Sequence, residues 1–287
     1  MKDNFMRYIT LFILIFLTAC SVEKHEQAPS QNAVFKRVMS QGVLRCGYAS
    51  WDPILIIDPK TGDISGIAHD VIEAAAQNLG LKVQWVEESG WGEYITGLKT
   101  KRYDAFCAGP TPNTERAREL LFTDPFMFTR LALYTQANND RLDGNRAFLN
   151  NVETSFAELD GTTSLKILNE EFPNATHVSY PEAIPFSQML VEVGENKVDA
   201  TLQAIFAGNI YKRNNPNKIK VIKGFEDFRV LENVFMVNNA EFNLREILNE
   251  AIDELRVAGK LDQIIDKYET EPGEFYRVSP GYQISKD

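Results

Sequence analysis

Residues 67–86, IAHDVIEAAAQNLGLKVQWV, carry two hydrophobic periods side by side. Val71, Ile72, Ala75 and Leu79 recur at helical spacing and share one face, and Gly80 supplies the stop. Lys82 to Val86 then reads as a strand, as does VLRCGY at 43–48 on the other side of the helix. A strand, a helix and a strand in succession make a crossover between parallel strands, so the fold class is α/β.

Outward from that unit the same alternation continues. Residues 92–101 read as helix, YDAFCA at 103–108 as strand, and Thr114 as the start of another helix, which completes one doubly wound lobe. TRLALYTQ at 129–136 is a β-rich connector. A second βα series follows through 152–159, 163–172, 176–179, 186–193, 198–202 and 204–212. LENVFMV at 231–237 is β-rich again, and 244–268 holds two amphipathic segments broken at Gly259. Those last helices have no strands of their own to cover, so the chain is expected to cross back. The expected architecture is two doubly wound lobes joined by two hinge strands, with 34–132 plus 233–287 in one and 133–232 in the other.

Lys and Arg total 30 against 40 Asp and Glu, a net charge of −10 with no basic stripe, so a phosphate backbone is repelled and nucleic acid is not an expected partner. Lys2 and Arg7 flank the start of the chain, and residues 9–17 (ITLFILIFL) are nearly all apolar, the pattern of an export signal. Nine helical residues reach only about 14 Å, against roughly 30 Å of hydrocarbon, so a permanent membrane span is disfavoured. Leu17-Thr18-Ala19-Cys20 resembles the lipobox of bacterial lipoproteins, which implies removal of 1–19 and a lipid on Cys20. The other reading is a signal cut elsewhere with Cys20 left as an ordinary residue. Residues 20–33 have the composition of a solvated tether.

Cys46 and Cys107 lie inside apolar strand-like runs and are read as buried thiols, with a disulfide as the alternative outside the cytoplasm. His25, His69 and His177 lack ligand spacing, so neither metal nor cofactor is expected. Open α/β sheets bind ligands beyond the carboxyl ends of their strands. Three loops meet that description: 48–53 with Trp51, 109–116 from Gly109 to Arg116, and 160–164 with Thr162 and Thr163. Arg116 adds a planar fork that matches a carboxylate, although its position in a first turn also fits an exposed arginine paired with Glu115 or Glu119.

The ordered set of short motifs resembles family 3 of the bacterial solute-binding proteins, extracytoplasmic receptors of ABC importers with the type II periplasmic-binding fold. It comprises Gly47…Trp51-Asp52-Pro53, Gly66 to Asp70, Trp91…Leu98-Lys99…Tyr103-Asp104-Ala105, Thr111…Thr114-Glu115-Arg116, Phe122 to Phe126, Gly161-Thr162-Thr163 and Lys197 to Ala200. The resemblance covers nearly all of 40–270. It implies that Arg116 clamps a ligand carboxylate, helped by Thr111 and by Thr162 and Thr163 of the other lobe, while Trp51 and Trp91 wall the cleft. Gly109 belongs to the same loop, and Tyr48 and Gln203 are further lining candidates. Asp70 and Asp104 fall at landmarks that are structural in the family. The implied protein is a lipid-anchored monomer on a bacterial membrane, in the periplasm or at the cell surface, that captures a small carboxylate-bearing solute, an amino acid or a relative of one, and hands it to a membrane permease.

One departure bears on the ligand. The family's amino-acid receptors usually place an acid where this chain has Ala204, so an α-ammonium here needs Gln203, Glu182 or a backbone carbonyl, or the solute lacks that amine. A different class of function on the same scaffold resembles the cyclohexadienyl dehydratases, with Glu182 or another cleft carboxylate as general acid.

Overall fold

The computed structural model describes residues 31–279. The expected signal segment, Cys20 and the end of the chain beyond 279 lie outside the described residues.

The crossover unit forms as its periodicity requires. Strands β1 (Val43–Tyr48) and β4 (Lys82–Glu88) run parallel, joined through the hairpin of β2 (Ile56–Ile57) and β3 (Ile64–Ser65) and the helix Ile67–Asn78. That helix buries Val71, Ile72 and Ala75, the face expected of it, together with Ile67, Ala68 and Ala76. β5 (Ala105–Phe106) joins β1 in parallel; the chain continues through β6 (Leu120–Phe122) to the long β7 (Met127–Gln136). The second series contributes β8 (Ser155–Leu159), β9 (Thr176–Tyr180), β10 (Ala200–Ala204) and β11 (Ile219–Val221), then β12 (Arg229–Asn233) and β13 (Met236–Asn238). β14 (Phe275–Tyr276) is last.

Two sheets result. The first has the order β4-β1-β5-β13-β6, and the second has β11-β7-β10-β8-β9, with β12 and β14 also paired to β7. β8 is parallel to both β9 and β10, whereas β7 is antiparallel to all its partners. The helices Phe242–Val257 and Lys260–Tyr268 return to the first sheet, burying Leu244, Leu248, Ile252, Leu261 and Ile265 in the core that also holds Val71 and Ile72. Gly259 separates them with φ 68, in the left-handed region where glycine has no Cβ penalty.

Several boundaries differ from the sequence reading. β7 joins the second sheet from Met127, ahead of the expected change at 133, because Met127, Phe128 and Thr129 pair with β12. The end of the chain does not stay with the first lobe. β14 pairs with Thr129 and Phe128 of β7, and Phe275 is buried with its ring 5.2 Å from that of Phe206. This makes a third crossing between the sheets beside the two expected ones, stabilised by burial of a large aromatic side chain. The helix expected from Thr114 is only a single 3-10 turn, Arg116–Arg118. The Asn113 side chain accepts the Arg116 amide at 2.8 Å, and the chain enters β6 immediately afterwards. Cys46 and Cys107 are buried, as expected, but are joined in a disulfide rather than left as thiols. Pairing of β1 with β5 brings their Cα atoms to 5.7 Å, within bonding range.

The crossing at β12–β13 is held by a buried amide. Asn233 accepts from the Thr129 hydroxyl at 2.7 Å and donates to the Gly109 carbonyl at 2.8 Å, so the connector between sheets is tied to the loop that leads to Arg116.

Candidate functional site

Arg116 emerges from the short turn after Gly109 and is only 8% exposed. Its Nη1 donates to the Thr111 carbonyl at 2.5 Å in its own lobe and to Thr163 Oγ1 at 3.4 Å in the other. Nη2 donates to the Gly161 carbonyl at 3.4 Å. The guanidinium lies 5.4 Å from the centre of the Tyr94 ring. Burial pushes the Tyr94 hydroxyl up to about 12, with Arg116 pulling the other way, so it stays protonated. Neither Glu115 nor Glu119 pairs with Arg116; Glu119 pairs with Lys99. Among the described residues Arg116 forms no ion pair, and its partners are two carbonyls, a hydroxyl and a ring face. A buried cation held this way retains attraction for an anion.

The tryptophans meet in a separate cluster, and Arg116 is not among the residues lining the cavity there. The Trp51 and Trp91 rings contact edge-on at 5.9 Å, and Phe186 from the other lobe stacks on Trp51 at 5.7 Å and meets Trp91 edge-on at 5.9 Å. With Phe206 they wall a cavity of about 760 Å³ between the lobes. Asp52, Glu88, Glu93 and Glu182 also line it, and among the described residues no Lys, Arg or His does. Burial raises the Asp52 carboxyl above the usual range. Aromatic faces with uncompensated carboxylates favour a cationic or polarised apolar group over an anion.

The two clusters are joined by one backbone segment. Gly161 packs against Gly92, next to Trp91, and Tyr94 lies a little further along, beside Arg116. Glu182 crosses the same boundary and accepts the Gly92 amide at 2.7 Å. The lobes are therefore in contact around the site.

The other sequence candidates sort differently. Thr162 is the N-cap of the helix Thr163–Glu171: its hydroxyl accepts the Leu165 amide at 3.3 Å and donates to the Leu159 carbonyl at 2.8 Å, leaving Thr163 as the hydroxyl facing Arg116. Gly109 has φ 70, and a Cβ there would fall 2.9 Å from Ile54, so it shapes the loop through its backbone. Gln203 is buried within β10, with Nε2 3.3 Å from Thr201 Oγ1. Tyr48 packs edge-on against Trp85 and does not line the cavity. Asp104 is held by Arg37 and Arg45, and Asp70 by Lys267 and Tyr268, which are structural roles.

Sequence reading missed Phe186 and Phe206, whose helix-edge positions look like ordinary core, and Tyr94. It also missed Glu158, a carboxyl between Ala157 and Leu159 in the strand SFAEL and fully buried in β8. A charged residue inside a strand buried on both faces was the available signal.

The sequence model for bacterial extracellular solute-binding proteins, family 3, matches residues 44–271. The chain belongs to this family. The family 3 protein is 24% identical over 277 residues to the L-cystine-binding protein TcyA of Bacillus subtilis (strain 168), covering 93% of this chain and 97% of that one. It is 23% identical over 272 residues to a probable histidine-binding protein of Campylobacter jejuni, covering 94% of this chain and 100% of the relative. Among solved structures, the ancestral amino acid-binding protein AncCDT-1, a precursor of cyclohexadienyl dehydratase, superposes with a TM-score of 0.71 at 24% identity, covering 82% of this chain and 99% of that chain. That likeness establishes the two-lobed type II periplasmic fold. As a family 3 protein it is an extracellular solute-binding protein.

Proposed function

We propose that this protein is the receptor of an ABC importer for an amino acid or a close relative, gripping the solute's carboxylate with Arg116 as its lobes close. The observation that carries the reading is the buried guanidinium at the lobe boundary, in contact with Thr111 on one side and Gly161 and Thr163 on the other, with no carboxylate paired to it among the described residues. A solute carboxylate in that position joins both lobes, and closure follows because only the closed state offers both sets of contacts. Trp51, Trp91 and Phe186 then receive the rest of the solute, and the acidic lining favours a solute whose far end is cationic. The names of relatives that bind cystine and histidine support an amino-acid ligand.

In this reading the protein works as a monomer without cofactor, attached through lipid on Cys20 and presenting its closed form to a permease. The dehydratase alternative needs a free general acid. Glu182 is engaged with the Gly92 amide while Asp52, Glu88 and Glu93 stay available in the cavity lining, and it is the relatives named as binding proteins that favour a binding role.

The test is a thermal-shift screen of the full chain against the twenty common L-amino acids, L-cystine and simple carboxylates. A solute at a hundred times its Kd stabilises by about 2.7 kcal/mol, a clear rise in Tm. The reading expects at least one amino acid or related carboxylate to act on the wild type and not on Arg116→Ala. No response in the wild type, or an equal response in the variant, overturns it.

A further inference from the structure

The helix Ile205–Asn214 has two sides with different partners. Phe206, Ala207, Ile210, Tyr211 and Asn214 line the cavity between the lobes, and the Phe206 ring lies 6.3 Å from that of Trp51 in the other lobe. Asn209 and Arg213, one turn apart on an adjoining side, hold the end of the chain instead. Phe206 belongs to both arrangements. Its ring is also 5.2 Å from that of Phe275, which is 1% exposed. The aromatic wall of the cavity is therefore backed by a residue of the last strand.

Residues 269–277 carry Phe275 out of the first-lobe helix Lys260–Tyr268 and are fastened on both lobes. On the first, Arg277 pairs with Glu269 at 2.6 Å and with Asp266. On the second, β14 pairs with Phe128 and Thr129 of β7, the Gly273 carbonyl accepts from Arg130, and the Arg130 guanidinium lies 4.9 Å from the centre of the Tyr276 ring. Phe128 and Thr129 also pair with β12, so the hinge at this level is three strands wide. The helix itself is tied down as well. Asn209 donates to Glu274 at 3.0 Å and to Glu271 at 3.1 Å, and Arg213 donates to Thr270 at 3.0 Å. Glu274 is buried, and its second oxygen accepts the Thr270 amide at 2.8 Å. Separating that carboxyl from Asn209 would strand a buried polar group, which is costly.

Resting on the reading that the cavity receives the solute, we propose that residues 269–277 are a strap that sets solute affinity from behind the cavity, with Phe275 as the positioning residue that holds Phe206 at the wall. The strap begins on the lobe that closes against this wall, so the placement of the wall is linked to the placement of the lobes. Truncating Phe275 leaves space into which the Phe206 ring can turn. A wall that must be re-ordered when solute arrives binds more weakly.

The experiment reads affinity and stability together on the full chain, using as probe the amino acid that raises the wild-type Tm most in the screen above. Phe275→Ala is expected to weaken Kd by about tenfold in calorimetry well below its melting temperature, and Phe275→Leu, which refills most of the space, to return to within about threefold of wild type. Phe172→Ala is the control. Phe172 is also fully buried in the second lobe, but it stacks on Phe156 and Phe228 and does not line the cavity. That variant should lose stability yet keep Kd within about twofold, a split that a merely structural role for Phe275 would not produce. An unchanged Kd in Phe275→Ala, or an equal loss of affinity in Phe172→Ala, overturns the proposal.

Hydrogen exchange carries the test without any solute. In the unliganded chain the amides of 209–214 are expected to exchange about tenfold faster in Phe275→Ala and at the wild-type rate in Phe172→Ala. Should Phe275→Ala fold poorly, Asn209→Ala cuts the strap from the helix without opening the core, and about threefold weaker binding with faster exchange is expected. Wild-type values in that variant overturn the proposal. If no amino acid binds the wild type, the reading of the solute falls by itself, and the exchange rates alone decide whether the strap holds the wall.

Discussion

Glu182 of the second lobe accepts the backbone amide of Gly92 in the first at 2.7 Å. The approach depends on absent side chains, since a Cβ at Gly90 would lie 2.7 Å from Glu182 Oε1. The contact joins the lobes through the protein's own atoms, beside the place where Arg116 reaches Gly161 and Thr163. Closure thus has a component that needs no solute.

Glu182→Ala removes that component. A partly exposed hydrogen bond to a carboxylate contributes about 1 kcal/mol, so solute affinity should fall by roughly fivefold. The unliganded chain should also become more extended in small-angle scattering. An unchanged radius of gyration with unchanged affinity would mean that the contact contributes nothing to closure.

Arg116→Ala leaves the solute carboxylate facing two carbonyls and a hydroxyl. Loss of one side of a buried charge pair costs about 2–5 kcal/mol, or roughly 30- to 4000-fold in Kd by calorimetry. Arg116→Lys keeps the charge but not the fork that reaches both lobes, so an intermediate loss is expected. Affinity within twofold of wild type in the alanine variant would remove Arg116 from the site.

Glu158 makes stability depend on pH. Burial pushes its carboxyl from 4.5 up to about 8, only partly offset by the Leu202 amide and the Thr201 hydroxyl. In the unfolded chain the proton leaves near 4.5 and in the folded chain only near 8, so between those values the folded state binds more protons. This contribution is fully present below 4.5 and is lost as the pH rises to about 8, by an amount on the order of 4 kcal/mol. Denaturant melts of the unliganded chain at pH 5 and pH 8 should show the decline, and Glu158→Gln should flatten it. An identical pH slope in the variant would assign the effect to other groups.

The Cys46–Cys107 bond closes a loop with a sequence separation of 61. Chain-entropy arguments give such a cross-link about 4 kcal/mol of stabilisation, and removal of a native disulfide typically costs about 2–5 kcal/mol. Cys46→Ala with Cys107→Ala should therefore melt well below the oxidised wild type, and reducing agent should lower the wild type toward the double variant. Equal denaturation midpoints for all three would show that the bond adds nothing to stability.

Local pattern was enough to read the α/β class, the helix Ile67–Asn78 with its buried face, the paired C-terminal helices broken at Gly259, and the return of those helices to the first sheet. Each rests on periodicity or on glycine's freedom at positive φ, properties carried by neighbouring residues. The 109–116 and 160–164 loops were legible as strand-end loops for the same reason, and the contact of Arg116 with Gly161 and Thr163 joins them.

What the sequence alone determined, then, is the longer strands and helices and the loops at strand ends, the helix expected from Thr114 excepted, because hydrophobic period and turn chemistry act over a few residues. Tertiary structure decided the rest. It bonded Cys46 to Cys107, docked Phe275 on the second sheet, set Phe186 against Trp51, gave the Thr162 hydroxyl to a helix cap, and left one oxygen of Glu158 buried without a partner. These outcomes depend on which distant segments meet and on the desolvation that follows, and neither is encoded in the spacing of residues along one stretch of chain.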